Sequence, residues 1–184
     1  MKKINRKGFT LIELLAVITI MGILLIVAIP AITRTIENSR RDTFADISKT
    51  YLNTVRNAVL EDELTCGDKS VAATGDGTYY YKLDSTKEST TDLIEQGGTS
   101  SWSNAEVKGY VKWVKATKKE EGKAEKVTTT YYVMLVDAGG HGIENETEEK
   151  IISRAKVSTK TSTTAATEEA NFPYPESGTV CTLK

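Results

Sequence analysis

The sequence has few of the residues from which catalytic and metal sites are built. It contains one histidine and two cysteines among 184 residues. The histidine, His141, lies among glycines and has no second metal-type ligand near it in the sequence, so neither a catalytic triad nor a zinc site is expected there. No activated nucleophile and no phosphate-binding glycine loop is recognisable either. We therefore predict that the chain is not an enzyme and uses neither a cofactor nor a metal.

The sequence also lacks an excess of positive charge. Lysine and arginine total 24 against 25 aspartate and glutamate residues, which gives a formal net charge of −1. Four of the positive charges lie within residues 1–7, and loss of that segment takes the net charge from −1 to −5. No basic stripe with interleaved aromatic side chains is present. Nucleic acid is therefore not expected as a main partner.

Charge is almost absent from residues 9–32. This apolar run contains a single charged residue, Glu13, and follows the basic segment 1–7. As a helix it would be roughly 36 Å long, enough to cross a hydrocarbon core of about 30 Å. A secretory signal has a shorter apolar region, about 7–15 residues, and a small-residue cleavage site after it, and neither feature is found. The pattern predicts a membrane helix with its basic end in the cytoplasm and the rest of the chain outside.

Glycine and proline are absent from residues 33–64. Apolar residues in this segment recur at spacings of about three and four, which is typical of an amphipathic helix. The predicted apolar face consists of Ile36, Phe44, Ile47, Tyr51, Val55, Ala58 and Val59. We therefore predict one helix from about Phe9 to Leu60, apolar all round in its first half and lying on a sheet with its second half.

The chain beyond residue 66 is rich in threonine, serine and glycine, with short alternating runs typical of antiparallel strands. The predicted strands are Thr78–Leu83, Val107–Ala116 and Thr128–Asp137, and residues 117–127 form a charged hairpin loop. Alternation places Val107, Val111 and Trp113 on one face. Residues 157–184 either add a last strand or wrap the sheet. The predicted fold is α+β: a long N-terminal helix whose apolar half protrudes and whose amphipathic half packs on a C-terminal antiparallel sheet.

Residues 138–149 are predicted to be a glycine turn followed by an acidic loop. The acidic residues here, with the end of the preceding strand, are Asp137, Glu144, Glu146, Glu148 and Glu149. Carboxylates are ligands for Ca²⁺, but the spacing of an EF-hand is absent and acidic surface loops are common. A calcium loop is therefore kept only as the alternative to an ordinary solvated loop. Asn145–Thr147 also matches the N-x-T glycosylation pattern, a three-residue match that carries little information.

The junction between the basic segment and the apolar run carries the most specific signal. Lys7–Glu13, with the sequence KGFTLIE, resembles the class III signal of type IV prepilins and their pseudopilin relatives. The resemblance implies that a membrane peptidase cuts between Gly8 and Phe9 and that Phe9 is then N-methylated. It also implies that Glu13 neutralises the α-amine of a neighbouring subunit during filament assembly. A plain membrane anchor explains the apolar run but not a glutamate placed just after a Gly-Phe junction.

The same resemblance implies a division of the chain. The implied segments are a leader at 1–8, a helix at 9–65 with a membrane or filament-core part at 9–32 and an amphipathic part at 33–65, and a β-rich head at 66–184. Gly22 and Pro30 fall where the family commonly carries residues that weaken the helix, because glycine is flexible and proline removes a helical hydrogen bond. Local unwinding between them in a filament is the hypothesis, and a mild kink is the alternative.

The resemblance further implies a function, partners and a location. We predict that the chain is a structural subunit of a type IV pilus, with a major pilin as the first choice. The surface filament would serve adhesion, motility or biofilm formation. The alternatives are a minor pilin, a pseudopilin of type II secretion, a DNA-uptake pilin, or a membrane-anchored binding domain that never polymerises. The implied partners are other copies of the chain, other pilins, prepilin peptidase, the membrane before assembly, and a membrane assembly platform with its ATPase. The chain would be a single-pass membrane protein before it enters the filament.

Two cysteines remain, Cys66 and Cys181. Outside the cytoplasm an even pair favours a disulfide, and two buried free thiols are the alternative. A bridge would close a loop of about 115 residues, for which the chain-entropy model gives on the order of 4–5 kcal/mol. Pilins often fasten a C-terminal region in this way, but many keep both cysteines late in the chain. This placement therefore departs from the commonest pattern.

Overall fold

The structure is a computed structural model of the chain. It describes residues 10–84, 93, 100–102, 107–119, 124–137, 139–147, 150–151, 157, 175 and 177–184. The chain divides into two compact units, Met1–Ser39 and Arg40–Lys184. The division falls inside the long helix, because its two halves differ in what surrounds them.

Helix α1 runs without interruption from Leu11 to Leu60, close to the predicted helix. It ends in a Schellman turn, in which the Glu63 N–H donates to the Ala58 carbonyl at 2.9 Å and Asp62 takes a left-handed conformation with φ 58°. Glycine usually occupies this position because it has no Cβ, and aspartate is one of the few other residues that tolerate it. The helix therefore stops at an unusual residue, whose side-chain contacts are described below.

In the first unit, the helix exposes its apolar side chains. Every large apolar residue from Leu11 to Ile32 is more than half exposed, with values between 52% and 85%. By length and composition, α1 qualifies as a membrane-crossing helix. Such a surface is stable only when lipid or other apolar protein surrounds it.

In the second unit, one face of the helix is buried. The buried residues are Phe44, Ala45, Ser48, Tyr51, Leu52, Val55 and Ala58. Four of these positions confirm the predicted apolar face, and Ile47 and Val59 are partly buried against the core. The prediction for Ile36 is wrong, since it is 48% exposed and precedes the part of the helix that packs on the sheet. Ser48 is compatible with the core because its hydroxyl donates to the Phe44 carbonyl at 2.8 Å.

The described part of the second unit contains a seven-stranded sheet. Its strands are β1 (Leu64–Cys66), β2 (Lys69–Ser70), β3 (Gly77–Asp84), β4 (Val107–Lys118), β5 (Lys126–Asp137), β6 (Gly142–Thr147) and β7 (Thr179–Leu183). Their spatial order is β2-β1-β7-β3-β4-β5-β6. The pair β3–β7 is parallel and the other pairs are antiparallel. The predicted antiparallel sheet is confirmed for most of its pairs. The one parallel pair arises because β7 lies between β1 and β3.

The three predicted strands are confirmed as β3, β4 and β5. The hairpin of β4 and β5 contains twelve residue pairs and extends to Lys118↔Lys126, so its loop is shorter than predicted. Val107, Val111 and Trp113 are all buried, as the alternation predicts. They pack with the buried face of α1 in one apolar cluster. The fold is therefore α+β, with the helix packed on the sheet, as predicted.

The prediction of an acidic loop at residues 138–149 is wrong in part, because Gly142–Thr147 forms edge strand β6. Ile143 pairs with Leu135 and is fully buried, so one inward apolar side chain anchors a strand that otherwise consists of polar residues and glycine. The register between β5 and β6 shifts once, between Val133 and Leu135. Charged side chains and a register shift are common at sheet edges, where they hinder further pairing.

Candidate functional site

The residues of the class III junction lie at and before the start of α1. Gly8 and Phe9 lie outside the described residues. Thr10 and Glu13 are described, and they form a reciprocal pair. The Thr10 N–H and the Thr10 hydroxyl donate to Glu13 Oε2 at 2.9 and 2.8 Å, and the Glu13 N–H donates to Thr10 Oγ1 at 3.4 Å. This is a capping box, which explains why the helix begins at Leu11.

The Glu13 carboxylate lies in an apolar surrounding. The side chains of Leu11, Ile12 and Leu14 are 85%, 72% and 63% exposed, so the helix start presents one acid on a surface suited to lipid. Both donors from Thr10 bind the same carboxylate oxygen. A carboxylate has about four acceptor positions. Glu13 therefore retains the capacity to accept a further donor, such as an ammonium group.

Gly22 and Pro30 both lie within continuous helix. A Cβ added at Gly22 would meet nothing within 4 Å, so no packing contact among the described residues requires a glycine there. Pro30 cannot donate a helical hydrogen bond. Three residues later, the Thr33 hydroxyl donates to the Ile29 carbonyl at 2.9 Å. Both residues lower the intrinsic stability of the helix without breaking it. The role assigned to them by resemblance stays a prediction.

Cys66 and Cys181 are joined in a disulfide that links positions 115 residues apart. This is the pairing that the sequence favoured. The two residues face each other on β1 and β7, and they are 5% and 2% exposed. The bond therefore fastens the C-terminal strand to the strand that follows the helix.

Asp62, which the sequence analysis did not single out, connects the end of the helix to two other segments. Its carboxylate accepts hydrogen bonds from the Ser70 hydroxyl, from the Ala72 N–H at 2.9 Å and from Lys184 Nζ at 2.6 Å. These donors, with Lys184 first, hold the pKa of the Asp62 carboxyl well below its usual range. No local sequence signal indicates this role, because its partners are up to 122 positions away.

A second cluster that sequence reasoning missed surrounds His141. Its Nδ1 lies 3.0 and 3.1 Å from the two carboxylate oxygens of Asp137, which is fully buried. The Ser100 hydroxyl donates to the same carboxylate. The indole of Trp102 stacks on the imidazole at 4.2 Å with an interplanar angle of 4°. An aspartate four residues before a histidine, across a glycine pair, is the signal that would have suggested this contact.

The arrangement around His141 is not that of a catalytic triad. In a triad the serine bonds to the histidine, which takes its proton, whereas Ser100 bonds to Asp137. Asp137 is also unsuited to the alternative of a calcium loop, since its carboxylate is buried and binds Ser100 and His141. Within the described residues there is no group of three or more metal-type ligands. The cluster instead joins the segment 100–102 to the turn after β5, and Ser101 extends it to the helix by donating to the Arg40 carbonyl at 2.7 Å.

Comparison with known proteins bears on the N-terminal segment. Residues 3–29 match the family model described as the prokaryotic N-terminal methylation motif. The matched segment contains three of the four basic leader residues, the Gly8-Phe9 junction and most of the apolar run. No curated protein and no solved structure matches the chain.

The match defines a class: the chain carries the N-terminal signal of a type IV pilin-like prepilin. The resemblance seen in the sequence is thereby confirmed, and the long apolar helix fits a membrane-anchored pilin precursor. Such a signal implies processing by a prepilin peptidase and assembly with pilin subunits. The motif family is structural rather than enzymatic. The match ends at residue 29, so the role of the head within this class is a separate question.

Proposed function

We propose that the chain is the major structural subunit of a type IV pilus, which polymerises through its N-terminal helix into a surface filament. One observation carries the proposal: a single carboxylate, Glu13, lies on an exposed apolar helix start, four residues after the phenylalanine of a class III junction. A membrane anchor alone has no use for this acid. A carboxylate near the middle of a bilayer costs about 2.5–3.5 kcal/mol, and Glu13, which lies nearer the end of the helix, costs less but is still unfavourable. In a filament, Glu13 can pair with the α-amine of Phe9 on a neighbouring subunit. Such a filament would serve adhesion, motility or biofilm formation.

The first step in this proposal is removal of the leader, residues 1–8, by cleavage between Gly8 and Phe9. Cleavage exposes the α-amine of Phe9, which is then methylated and keeps its positive charge. The helix begins at Leu11, only two residues beyond the new N-terminus. The amine of each subunit is therefore close to the surface through which helices meet.

In the second step, Glu13 gains a further hydrogen-bond partner. Before assembly, Thr10 supplies two neutral donors at 2.8 and 2.9 Å. In the filament, the Phe9 amine of a neighbouring subunit adds a charged donor to the same carboxylate. Moving the apolar helix from lipid into a core of like helices changes its apolar contacts little, so the ion pair gives the assembly its register. Breaking a buried pair by removing one partner typically costs about 3–5 kcal/mol.

The remaining parts of the chain have assigned roles in this proposal. Residues 9–32 form the filament core after leaving the membrane, and residues 33–65 connect them to the head at 66–184. Gly22 and Pro30 bound the stretch that unwinds when subunits pack, which gives the filament a local source of extension. A filament reconstruction with continuous helix density from Gly22 to Pro30 would exclude this last role.

The decisive experiment is peptide mass spectrometry on material sheared from the cell surface. An abundant peptide that starts at Phe9 and carries one additional methyl group is the expected result, because it requires cleavage, export and polymerisation. Processed chain that is found only in the membrane fraction would instead indicate a minor pilin or a pseudopilin. Membrane-bound chain that still starts at Met1 would indicate a plain anchor.

Two variants serve as internal controls for that experiment. Gly8→Leu places a bulky residue at the cleavage site, so unprocessed chain should accumulate in the membrane. Glu13→Gln keeps the size and an acceptor for Thr10 but removes the charge, so processed chain should accumulate in the membrane and the filament yield should fall. If Glu13→Gln gives filaments at the wild-type yield, the proposed ion pair with Phe9 is excluded.

A further inference from the structure

The C-terminal strand β7 connects two parts of the described sheet. On one side it pairs with β1 through Leu64↔Leu183, Thr65↔Thr182 and Cys66↔Cys181. On the other side it pairs with β3 through three residues, Thr179 to Cys181. In the strand order, β1 and β3 are not neighbours of each other. The pair β1–β2, which follows the helix, is therefore linked to the sheet β3–β6 through β7.

The non-covalent attachment of β7 is slight for a strand in this central position. Within β7, Cys181 is buried and Leu183 is half-buried, while Thr179, Val180 and Thr182 are exposed. Little apolar surface therefore holds the strand against the core. Among the described residues, polar contacts beyond its ladder come from Lys184, whose N–H donates to the Glu63 carbonyl at 2.9 Å and whose ammonium binds Asp62.

The neighbouring part of the sheet is held much more firmly. The ladder between β4 and β5 contains twelve residue pairs, and both strands contribute fully buried side chains such as Trp113 and Leu135. β3 adds eight further pairs to β4. This block, β3–β5, does not depend on β7 for its internal pairing. Local opening of a protein follows such differences in burial and pairing.

We propose that the Cys66–Cys181 disulfide is a redox switch that controls whether β7 stays in the sheet. With the bond intact, β7 joins β1–β2 to β3–β6. With the bond reduced, the strand separates from both neighbours while the block β3–β5 stays folded. The switch lies within the described part of the second unit, and it operates whether or not the chain forms a filament.

The chemistry of the switch is thiol–disulfide exchange with an external dithiol. A thiolate of the dithiol attacks one sulfur of the Cys66–Cys181 bond, which releases one cysteine and forms a mixed disulfide with the other. The second thiolate of the dithiol then attacks the mixed disulfide and releases the remaining cysteine. Cys66 and Cys181 gain two electrons and two protons, and the dithiol becomes a disulfide. Closure is the reverse reaction with a disulfide oxidant. Since the two cysteines are 5% and 2% exposed, exchange also requires transient opening of β7.

The test is hydrogen–deuterium exchange, read by mass spectrometry, on the full chain in detergent micelles with and without dithiothreitol. We expect reduction to raise the amide exchange rates of β7 and β1 by on the order of tenfold or more, with those of β4 and β5 unchanged. Unchanged exchange in β7 would overturn the proposal. Equal loss of protection in every strand would overturn it as well, because the disulfide would then act on the fold as a whole.

Matched variants separate loss of the bond from an effect of the reductant. The double variant Cys66→Ala, Cys181→Ala should show the fast exchange of β7 without dithiothreitol. Val180→Ala changes the same strand at an exposed side chain and keeps the disulfide, so it should retain wild-type protection until it is reduced. If the double variant fails to fold, the reduced wild-type chain still decides the matter, and its global unfolding counts against the switch.

Discussion

The two halves of α1 have the same secondary structure and opposite surroundings. From Leu11 to Ile32 the large apolar side chains are all more than half exposed, whereas Phe44, Leu52 and Val55 in the second unit are completely buried. The backbone is continuous helix through both halves. Hydrogen bonding therefore does not distinguish them, and the arrangement of apolar residues does. A helix that is apolar all round needs a surrounding from outside the chain, while a helix with one apolar face finds it in its own sheet.

The largest effect should come from truncating a buried side chain in the second half. Phe44→Ala removes a side chain that is 0% exposed and whose ring lies 5.8 Å from that of Trp102, so we expect a loss of about 3–5 kcal/mol in unfolding free energy. The measurement is urea unfolding of the full chain in micelles, followed by tryptophan fluorescence. Ile23→Ala is the matched control, since Ile23 is 65% exposed. A similar loss in both variants would refute the contrast between the two halves.

The next effect concerns assembly and acts only through the first half. Glu13→Gln should reduce the yield of sheared filaments at least about tenfold, in line with the loss of a pair worth several kcal/mol. The unfolding midpoint of the head should not change. Thr10→Val provides the comparison, because it removes the hydroxyl of the capping box at a cost of about 1 kcal/mol and leaves the carboxylate in place. Filament loss in Thr10→Val equal to that in Glu13→Gln would assign the effect to the helix start instead of to the charge.

A smaller effect is expected at the end of the second half, where Asp62 binds Lys184. The pKa of Asp62 is lowered in the folded chain, so the unfolded chain binds more protons in the acid range. The contribution of the ionised Asp62 carboxylate to stability is therefore complete above the pKa of about 4 that it has in the unfolded chain. This contribution is lost as the pH falls toward the lower pKa that Asp62 has in the folded chain. Urea midpoints between neutral pH and pH ~2.5 should fall more steeply in the wild type than in Asp62→Asn. Parallel pH profiles would show that other carboxyl groups dominate.

The smallest effect is expected at Gly22, in the first half. Gly22→Ala should stabilise the helix by about 0.5–1 kcal/mol, because a Cβ there meets nothing within 4 Å. Amide exchange of residues 20–30 in micelles should slow accordingly, while the stability of the head stays constant. Ala28→Gly is the opposite change in the same segment and should speed exchange. If Gly22→Ala instead leaves exchange unaltered, the glycine is not what weakens this stretch.

The parts of the fold that the sequence predicts are those with long, regular patterns. The helix and strands β3 to β5 each carry enough apolar periodicity to specify their structure locally. The signal at Lys7–Glu13 also identified the N-terminal motif, because a charge in an apolar run is rare. These features depend on neighbours in the sequence, so one sequence suffices to find them.

The remaining elements depend on contacts between distant segments. β1 and β2 contain three and two residues, too few for any periodicity, and β7 is a strand because β1 and β3 lie on either side of it. β6 contains two glutamates and a single large apolar residue, Ile143, which alone marks its inward face. The contacts of Asp137 with Ser100 cross 37 positions. No local pattern encodes a pairing at that distance, so the sequence could not reveal these parts.

The position of β7 also has a consequence for the order in which the head folds. The β4–β5 hairpin pairs residues close in sequence, so its ladder forms with a small loss of chain entropy. Pairing Cys66 with Cys181 instead closes a loop across 115 positions, and contacts of such long range are associated with slow folding. We therefore expect refolding of the head to show an early hairpin and a late, rate-limiting closure. A chain synthesised only as far as residue 178 lacks β7 and therefore has not yet completed its sheet.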